Sequence, residues 1–241
     1  MSDQYQSELL HKELFNQELS SALNDLPKGV AWAATIFPQN HKEKLLSLRV
    51  ELPLLSDRAV EKRRNEFYAG RWCAAQAIYQ KQGRYLTPKI NADRSPLWPD
   101  GIVGSISHSQ DKAISVVSST DKCAGLGIDI QSEISSGERN DISDLILNAD
   151  ETELCRNLTI HKPFDVFFSA KESLYKALYP SCLDFFEHKD VEIVNVNEHN
   201  YTLEIRLLRD LKTCWFKGQV FTVRYFTAQT YVLTWAYLDI V

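Results

Sequence analysis

Two stretches decide the fold between them: CAGLGIDIQ, residues 123–131, and FDVFFSAKESLYKALY, residues 164–179. The first reads as a strand. Side chains alternate along a strand, so Leu126, Ile128 and Ile130 face one way and Gly127, Asp129 and Gln131 the other. A carboxylate is thereby held at the end of a buried strand, beside a glycine that lets another backbone or a ligand come close. Read alone, Asp129 also fits an aspartate that caps a following turn. The second stretch is a helix. At about 100° per residue, Phe164, Phe167, Leu174 and Leu178 form one apolar stripe, while Ser169, Glu172 and Lys176 gather on the opposite side. Glu172 and Lys176 are i,i+4 neighbours and fit an exposed ion pair worth about 0.3–0.5 kcal/mol. Lys171 points into the apolar stripe, where an ammonium needs a snorkelling path or an anionic partner such as a phosphate.

Outward from this pair, the alternation of residues 191–197, 201–208, 216–226 and 230–238 predicts antiparallel strands, and residues 141–158 predict a further helical segment. The polar stretch QSEISSGERND, 131–141, reads as a mobile loop. In the first half, strands are expected at Ala31–Phe37, Leu46–Leu52 and 113–118, and a helix from Asp57 to about Gln82, stopped by Gly83. Residues 88–104, rich in Pro, Gly, Asn and Asp, read as a loop that delivers the chain into Ser105-Ile106-Ser107-His108-Ser109. Strands and helices in this order make the class α+β. No internal repeat and no flexible linker interrupts the chain.

Three hydroxyls, the backbone N–H groups beside Gly104 and the imidazole of His108 can together surround an anion, although a histidine satisfied by a local hydrogen bond fits as well. The helix before Gly83 carries Arg63, Arg64 and Arg71, with Arg63 and Arg71 about two turns apart on nearly one face. A solvated basic face is the plainer alternative.

Composition sets the outer limits. In 241 residues, 44% are hydrophobic and 24% charged, which excludes fibrous, low-complexity and wholly disordered classes. The net charge of −5 gives no reason to expect general affinity for nucleic acid or an anionic membrane, so any anion site must be local. No apolar run has the roughly 18 residues of a membrane span. The opening MSDQYQSELLHKEL lacks the basic-then-apolar pattern of an export signal, so a cytoplasmic location is expected. The five cysteines are scattered, form no C-x-x-C pair and read as small core residues.

Taken in order, Arg63, Gly70-Arg71, Trp98-Pro99, Gly101, Gly104-Ser105-Ile106-Ser107-His108-Ser109, Gly127-Ile128-Asp129-Ile130 and Phe168-Ser169-Ala170-Lys171-Glu172-Ser173 with Tyr175-Lys176 resemble the 4'-phosphopantetheinyl transferases, within them the enterobactin-synthase type of siderophore assembly lines. The resemblance implies two similar α/β subdomains, 1–122 and 123–241, about a pseudo-twofold axis with a coenzyme A cleft between them. It implies transfer of the 4'-phosphopantetheine arm of coenzyme A to a serine of an apo carrier protein of nonribosomal peptide, polyketide or fatty acid synthesis, releasing adenosine 3',5'-bisphosphate. Asp129 and Glu172 would hold Mg²⁺ or Mn²⁺. Glu172 would be the general base and Lys176 would stabilise developing charge. Lys171 would contact the diphosphate, and Arg63, Arg71, Arg94, Ser107 and His108 the coenzyme A phosphates. Gln131 departs from the pattern, since many members carry a third acidic ligand there. Leu183, Phe185 and Phe186 form an apolar cluster that fits either a carrier-facing surface or core. A monomer is expected. The competing readings are a non-catalytic coenzyme A or nucleotide-binding module and a carrier-binding structural subunit.

Overall fold

The computed structural model describes residues 3–37, 40–53 and 59–240, with side chains from residue 12 onward. In chain order the elements are α1 (Asp3–Ala22), β1 (Ala31–Ile36), α2 (His41–Ser47), α3 (Glu61–Gln82), β2 (Lys89–Ile90), β3 (Pro96–Leu97), β4 (Ile102–Ser109), β5 (Lys112–Ser119), β6 (Gly125–Ser132), α4 (Ser136–Ile146), α5 (Ala149–Asn157), α6 (Pro163–Cys182), β7 (Val191–Asn197), β8 (Thr202–Leu207), β9 (Val220–Thr227) and β10 (Tyr231–Leu238). The α+β class is as expected.

Two similar units result. In each, one long helix lies against an antiparallel sheet: α3 on β1-β5-β4, and α6 on β6-β10-β9-β8-β7. The alternation read in β6 explains how the units join. Leu126, Ile128 and Ile130 pack with Ile114 and Val116 of β5 and with Phe15, Leu19 and Leu23 at the end of the chain's first helical region. The opposite face of β6 receives α6. A methyl group at Gly127 would overlap the carbonyl of Ser173, and one at Gly125 the carbonyl of Ala177. Glycine is therefore needed there for the close approach of a helix backbone. Ala113 and Val117, on the other face of β5, receive Ala69, Cys73, Ala77 and Ile78 of α3 in the same way. Both long helices thus stand on the side away from α1, and a cleft opens between them.

The apolar stripe of α6 is as expected, with Phe164, Phe167, Leu174 and Leu178 all buried. At about 1.5–3 kcal/mol for each such side chain taken from water, this stripe is a main anchor of the second unit.

Several local expectations need correction. Residues 46–52 form no strand: 46 and 47 end α2, and Leu45 and Val50 bury against Ala75 of α3. A short apolar run has the same look in either conformation, and contact with α3 settled it. The expected loop 131–141 holds the end of β6 and the start of α4, opened by a capping box between Ser135 and Glu138. The helical segment 141–158 is two helices, α4 and α5, the second opened by another capping box at Asn148 and Glu151. The loop 88–104 contains the β2-β3 hairpin, and β4 begins within it. Helix α1 had no counterpart among the expected elements. The helix start expected at Asp57 lies outside the described residues; its stop at Gly83 stands, with φ +70° at the C-cap. Cys73, Cys123 and Cys182 are core residues, whereas Cys155 is half-buried and Cys214 exposed.

Candidate active site

β4 and β6 belong to different sheets, and the seam between them is made by side chains. Ser105, Ser107 and Ser109 of β4 accept hydrogen bonds through Oγ from the backbone N–H groups of Ile128, Ile130 and Ser132 at 3.1, 3.2 and 2.9 Å. Serines at every second position present three hydroxyls to every second N–H, so the SISHS pattern ties the two units together. Ser107 also donates to Asp129 Oδ1 at 2.7 Å and accepts from Lys176 Nζ at 3.2 Å. A hydroxyl has one hydrogen and two lone pairs. The buried Ser107 hydroxyl therefore has its hydrogen and both lone pairs engaged within the protein.

Asp129 is the centre of this seam. Its Oδ1 lies 2.6 Å from Lys176 Nζ, and its Oδ2 accepts from Ser169 Oγ at 2.7 Å. Ser169 in turn bonds Thr234, which stands opposite Asp129 in the β6–β10 register. The face of α6 opposite the apolar stripe is thus turned onto β6, with Ser169 fully buried. Glu172 has a different partner from the exposed pair first considered: its Oε1 is 2.9 Å from His188 Nε2. The amide of Gln131 donates to the carbonyl of Ser132 at 2.7 Å.

Lys171 does not enter the cleft. Its Nζ is 2.7 Å from Glu151 Oε1 and donates to the carbonyls of Ile146, His188 and Val191. Burial lowers the pKa of this ammonium, and Glu151 opposes the shift. The anionic partner demanded by its place in the apolar stripe is a carboxylate, which corrects the expected diphosphate contact.

The remaining basic residues line one end of the cleft. Arg63, Arg71, Arg94 and His108 surround a hollow of about 460 Å³, with Glu66 and Ile106 among its walls. Arg71 is buried, donates through Nε to Pro88 O at 3.0 Å and lies over the Phe67 ring at 4.5 Å. Burial, then the charge of Arg63, lowers its pKa to about 10, so it remains a cation at neutral pH. Among the described residues no carboxylate forms an ion pair with it. His108 lies 3.4 Å from Arg63 and 3.9 Å from Glu66. Burial depresses the imidazole's pKa; Glu66 opposes and Arg63 reinforces the shift. Arg94, at a turn with φ +71°, also borders an adjoining hollow of about 630 Å³. That second hollow runs past Lys176 to Trp98, Tyr175, Tyr179 and Phe185, floored by Gly104, Ser105 and Ile106. The arrangement can hold an extended ligand with anionic groups at the arginine end and an uncharged arm at the aromatic end.

Glu172 borders a third hollow, with Tyr175, Phe185 and His188. Of the apolar cluster expected after α6, Leu183 and Phe185 are exposed and Phe186 is core. Reading the sequence alone did not single out Thr234, His188, Glu66 or Tyr179. None carries a local signal, since each is brought in by pairing or packing across the chain.

Among the described residues no helix is long and apolar enough to cross a membrane. A family model described as the 4'-phosphopantetheinyl transferase N-terminal domain matches residues 51–118, and one described as the 4'-phosphopantetheinyl transferase superfamily matches 125–236. The chain is 36% identical over 121 residues to enterobactin synthase component D of Salmonella typhi, covering 49% of this chain and 50% of that protein. It is 35% identical over 153 residues to the 4'-phosphopantetheinyl transferase PptT of Mycobacterium tuberculosis, covering 62% and 65%. With the 4'-phosphopantetheinyl transferase Svp of Streptomyces mobaraensis it shares 37% over 139 residues, covering 54% and 55%. The chain spans about half the length of the first of these relatives.

Proposed function

Because the chain belongs to the 4'-phosphopantetheinyl transferase superfamily, we propose that it moves the 4'-phosphopantetheine arm of coenzyme A to a serine hydroxyl of an apo carrier protein. The observation that carries the reading is the pair of adjoining hollows, sharing Arg94, Pro96 and Ile106, that runs from buried Arg71, which has no carboxylate partner among the described residues, past Lys176, itself paired with buried Asp129, to an aromatic end. Coenzyme A has the matching form, with phosphates at one end and an uncharged arm at the other.

In this reading Arg63, Arg71 and His108 hold the 3'-phosphate and Arg94 lies along the path to the diphosphate. Lys176 supplies positive charge where the bridging bond breaks. The carrier serine oxygen forms a bond to the phosphorus that bears the pantetheine arm. The bond from that phosphorus to the bridging oxygen breaks, adenosine 3',5'-bisphosphate leaves, and Glu172 takes the serine proton. Asp129 and Glu172 are hard oxygen donors suited to Mg²⁺ or Mn²⁺. Among the described residues no group of three or more such ligands gathers, so phosphate oxygens and water would complete the shell, as is usual for Mg²⁺. When bound, the cation neutralises charge on the diphosphate.

Exposed Leu183 and Phe185, beside the aromatic end, are proposed as part of the carrier-docking side. The relatives named enterobactin synthase component D favour a carrier of a siderophore or other nonribosomal peptide line. The turn between β5 and β6 supports a division at 122 and 123, with phosphate contacts in the first unit and carboxylates in the second. A cytoplasmic monomer completes the proposal.

The test is to incubate the protein with coenzyme A, Mg²⁺ and a panel of apo carrier proteins and to look by mass spectrometry for the added arm. Addition to at least one carrier is expected. If coenzyme A binds and no carrier is modified, the non-catalytic binding module takes the place of this reading.

A further inference from the structure

His188 is tied to α6 in three ways that the transfer reaction as described does not use. Its Nε2 lies 2.9 Å from Glu172 Oε1, a close polar contact that is off the line of a full hydrogen bond, and this nitrogen has no other partner. Its ring stacks on Phe168, one turn before Glu172 on the same helix, at a centroid distance of 5.4 Å and an angle of 18°. Its carbonyl accepts from Lys171 Nζ at 2.9 Å, and Lys171 is the residue beside Glu172. The ammonium is itself immobilised by Glu151 and by the carbonyls of Ile146 and Val191. A capping box between Glu187 and Asp190 closes the short turn that carries the histidine. Ring and backbone are therefore registered to α6 on a turn closed within itself, whereas Glu172 is a half-exposed side chain with three rotatable bonds.

We infer that His188 is a positioning residue for Glu172: it occupies Oε1 and so leaves Oε2 for the serine proton and the cation. The physical reason is entropic and directional. An unrestrained glutamate samples many rotamers, and a ring nitrogen held 2.9 Å from one oxygen restricts where the other can lie. Lys171 serves the same end one step further back, because it anchors the turn that presents the ring. The inference rests on the proposed role of Glu172.

The experiment compares full-length wild type with His188→Ala, His188→Phe and His188→Gln. Phenylalanine keeps the stack on Phe168 and removes the donor; glutamine keeps an N–H that can reach Oε1 and removes the ring. Turnover on a carrier and Mn²⁺ binding by calorimetry, with and without coenzyme A, are both measured. The Ala and Phe variants should lose about 10–100-fold in kcat and in Mn²⁺ affinity, the usual cost of removing a group behind a metal ligand. The KM for coenzyme A should stay within about twofold, and Gln should recover most of the loss. If His188→Phe matches wild type in both measurements, or if Gln is as impaired as Phe, the inference is overturned. A wild-type protein that modifies no carrier sinks the transfer reading instead, and the Mn²⁺ titrations still decide the role of His188.

Discussion

Helices α3 and α6 occupy equivalent places, each lying against an antiparallel sheet and facing the same cleft; both carry ion pairs, Lys62 and Arg63 with Glu66 on α3, yet they treat their buried cations in opposite ways. On α3, Arg71 is buried with its guanidinium supported by Pro88 O and Phe67 and with no carboxylate ion pair among the described residues. On α6, Lys171 is paired with Glu151, Glu172 with His188 and Lys176 with Asp129. On the first helix the buried cation has no counter-charge from the described residues, and in the proposed reading a coenzyme A phosphate would supply it. The second satisfies itself, so a substrate on that side must work by exchange of partners. A preorganised cation favours binding, whereas a network of exchangeable pairs favours charge movement during reaction.

The sharpest way to break this contrast is at Lys171. Removing one partner of a buried ion pair leaves the other charge uncompensated, so Lys171→Ala should destabilise the fold by about 3–5 kcal/mol in denaturant unfolding. Replacing Lys171 and Glu151 together by leucine should restore much of it. A Lys171→Ala protein of wild-type stability with a specific defect in coenzyme A binding would return this lysine to the phosphate.

Asp129 separates structure from chemistry. Asp129→Asn keeps the shape that meets Ser107 and Ser169 but removes the charge beside Lys176. Turnover should fall by more than about 100-fold, beyond what loss of a group behind the ligands costs. Near-normal turnover with an intact fold would make Asp129 a seam residue only.

On the α3 side, Arg71→Ala should raise the KM for coenzyme A by about 10–100-fold, the worth of a charge-assisted hydrogen bond or two. Dephospho-coenzyme A, which lacks the 3'-phosphate, should lose its disadvantage in the variant. An unchanged preference between the two substrates would move Arg71 to a packing role.

The smallest effect concerns pH. Burial holds the pKa of His108 below its ordinary value of 6.5, so the folded protein keeps a neutral imidazole where the unfolded chain begins to protonate. Its contribution to stability is therefore present above the unfolded value and lost as pH falls from there through the lower folded value. A bound phosphate reverses the preference by favouring the imidazolium. Coenzyme A should then bind more tightly at pH 6 than at pH 8, by no more than about tenfold per unit because one proton is taken up. His108→Gln should remove this component from calorimetric titrations. The same pH slope in variant and wild type would place the linkage elsewhere.

How far the sequence could be read depended on whether a residue's partner was near in the chain. The alternation of Leu126, Gly127, Ile128 and Asp129 predicted the two faces of β6 because a strand has no other way to arrange them. The stripe of Phe164, Phe167, Leu174 and Leu178 was legible for the same reason. The capping boxes at Ser135 and Asn148 are also local signals, each with a Glu three residues on, and they mark the separate starts of α4 and α5. Residues 46–52 were ambiguous in principle, since an apolar run that short suits either conformation until α3 packs against it.

The amino-acid sequence by itself determined the α+β class, the two long helices, the strand that bears Asp129 and the residue types at the cleft, because periodicity and residue chemistry are properties of neighbours along the chain. Only the tertiary structure decided which charges are spent and which are free. Ser107 is consumed by the seam with β6, Lys171 by Glu151, and Glu172 faces His188, while Arg71 keeps a charge without a carboxylate partner among the described residues. The physical reason is that hydrogen-bonding capacity and charge are finite. A hydroxyl or an ammonium is available to a ligand only if the folded chain has not already used it, and that count is made by residues tens of positions away.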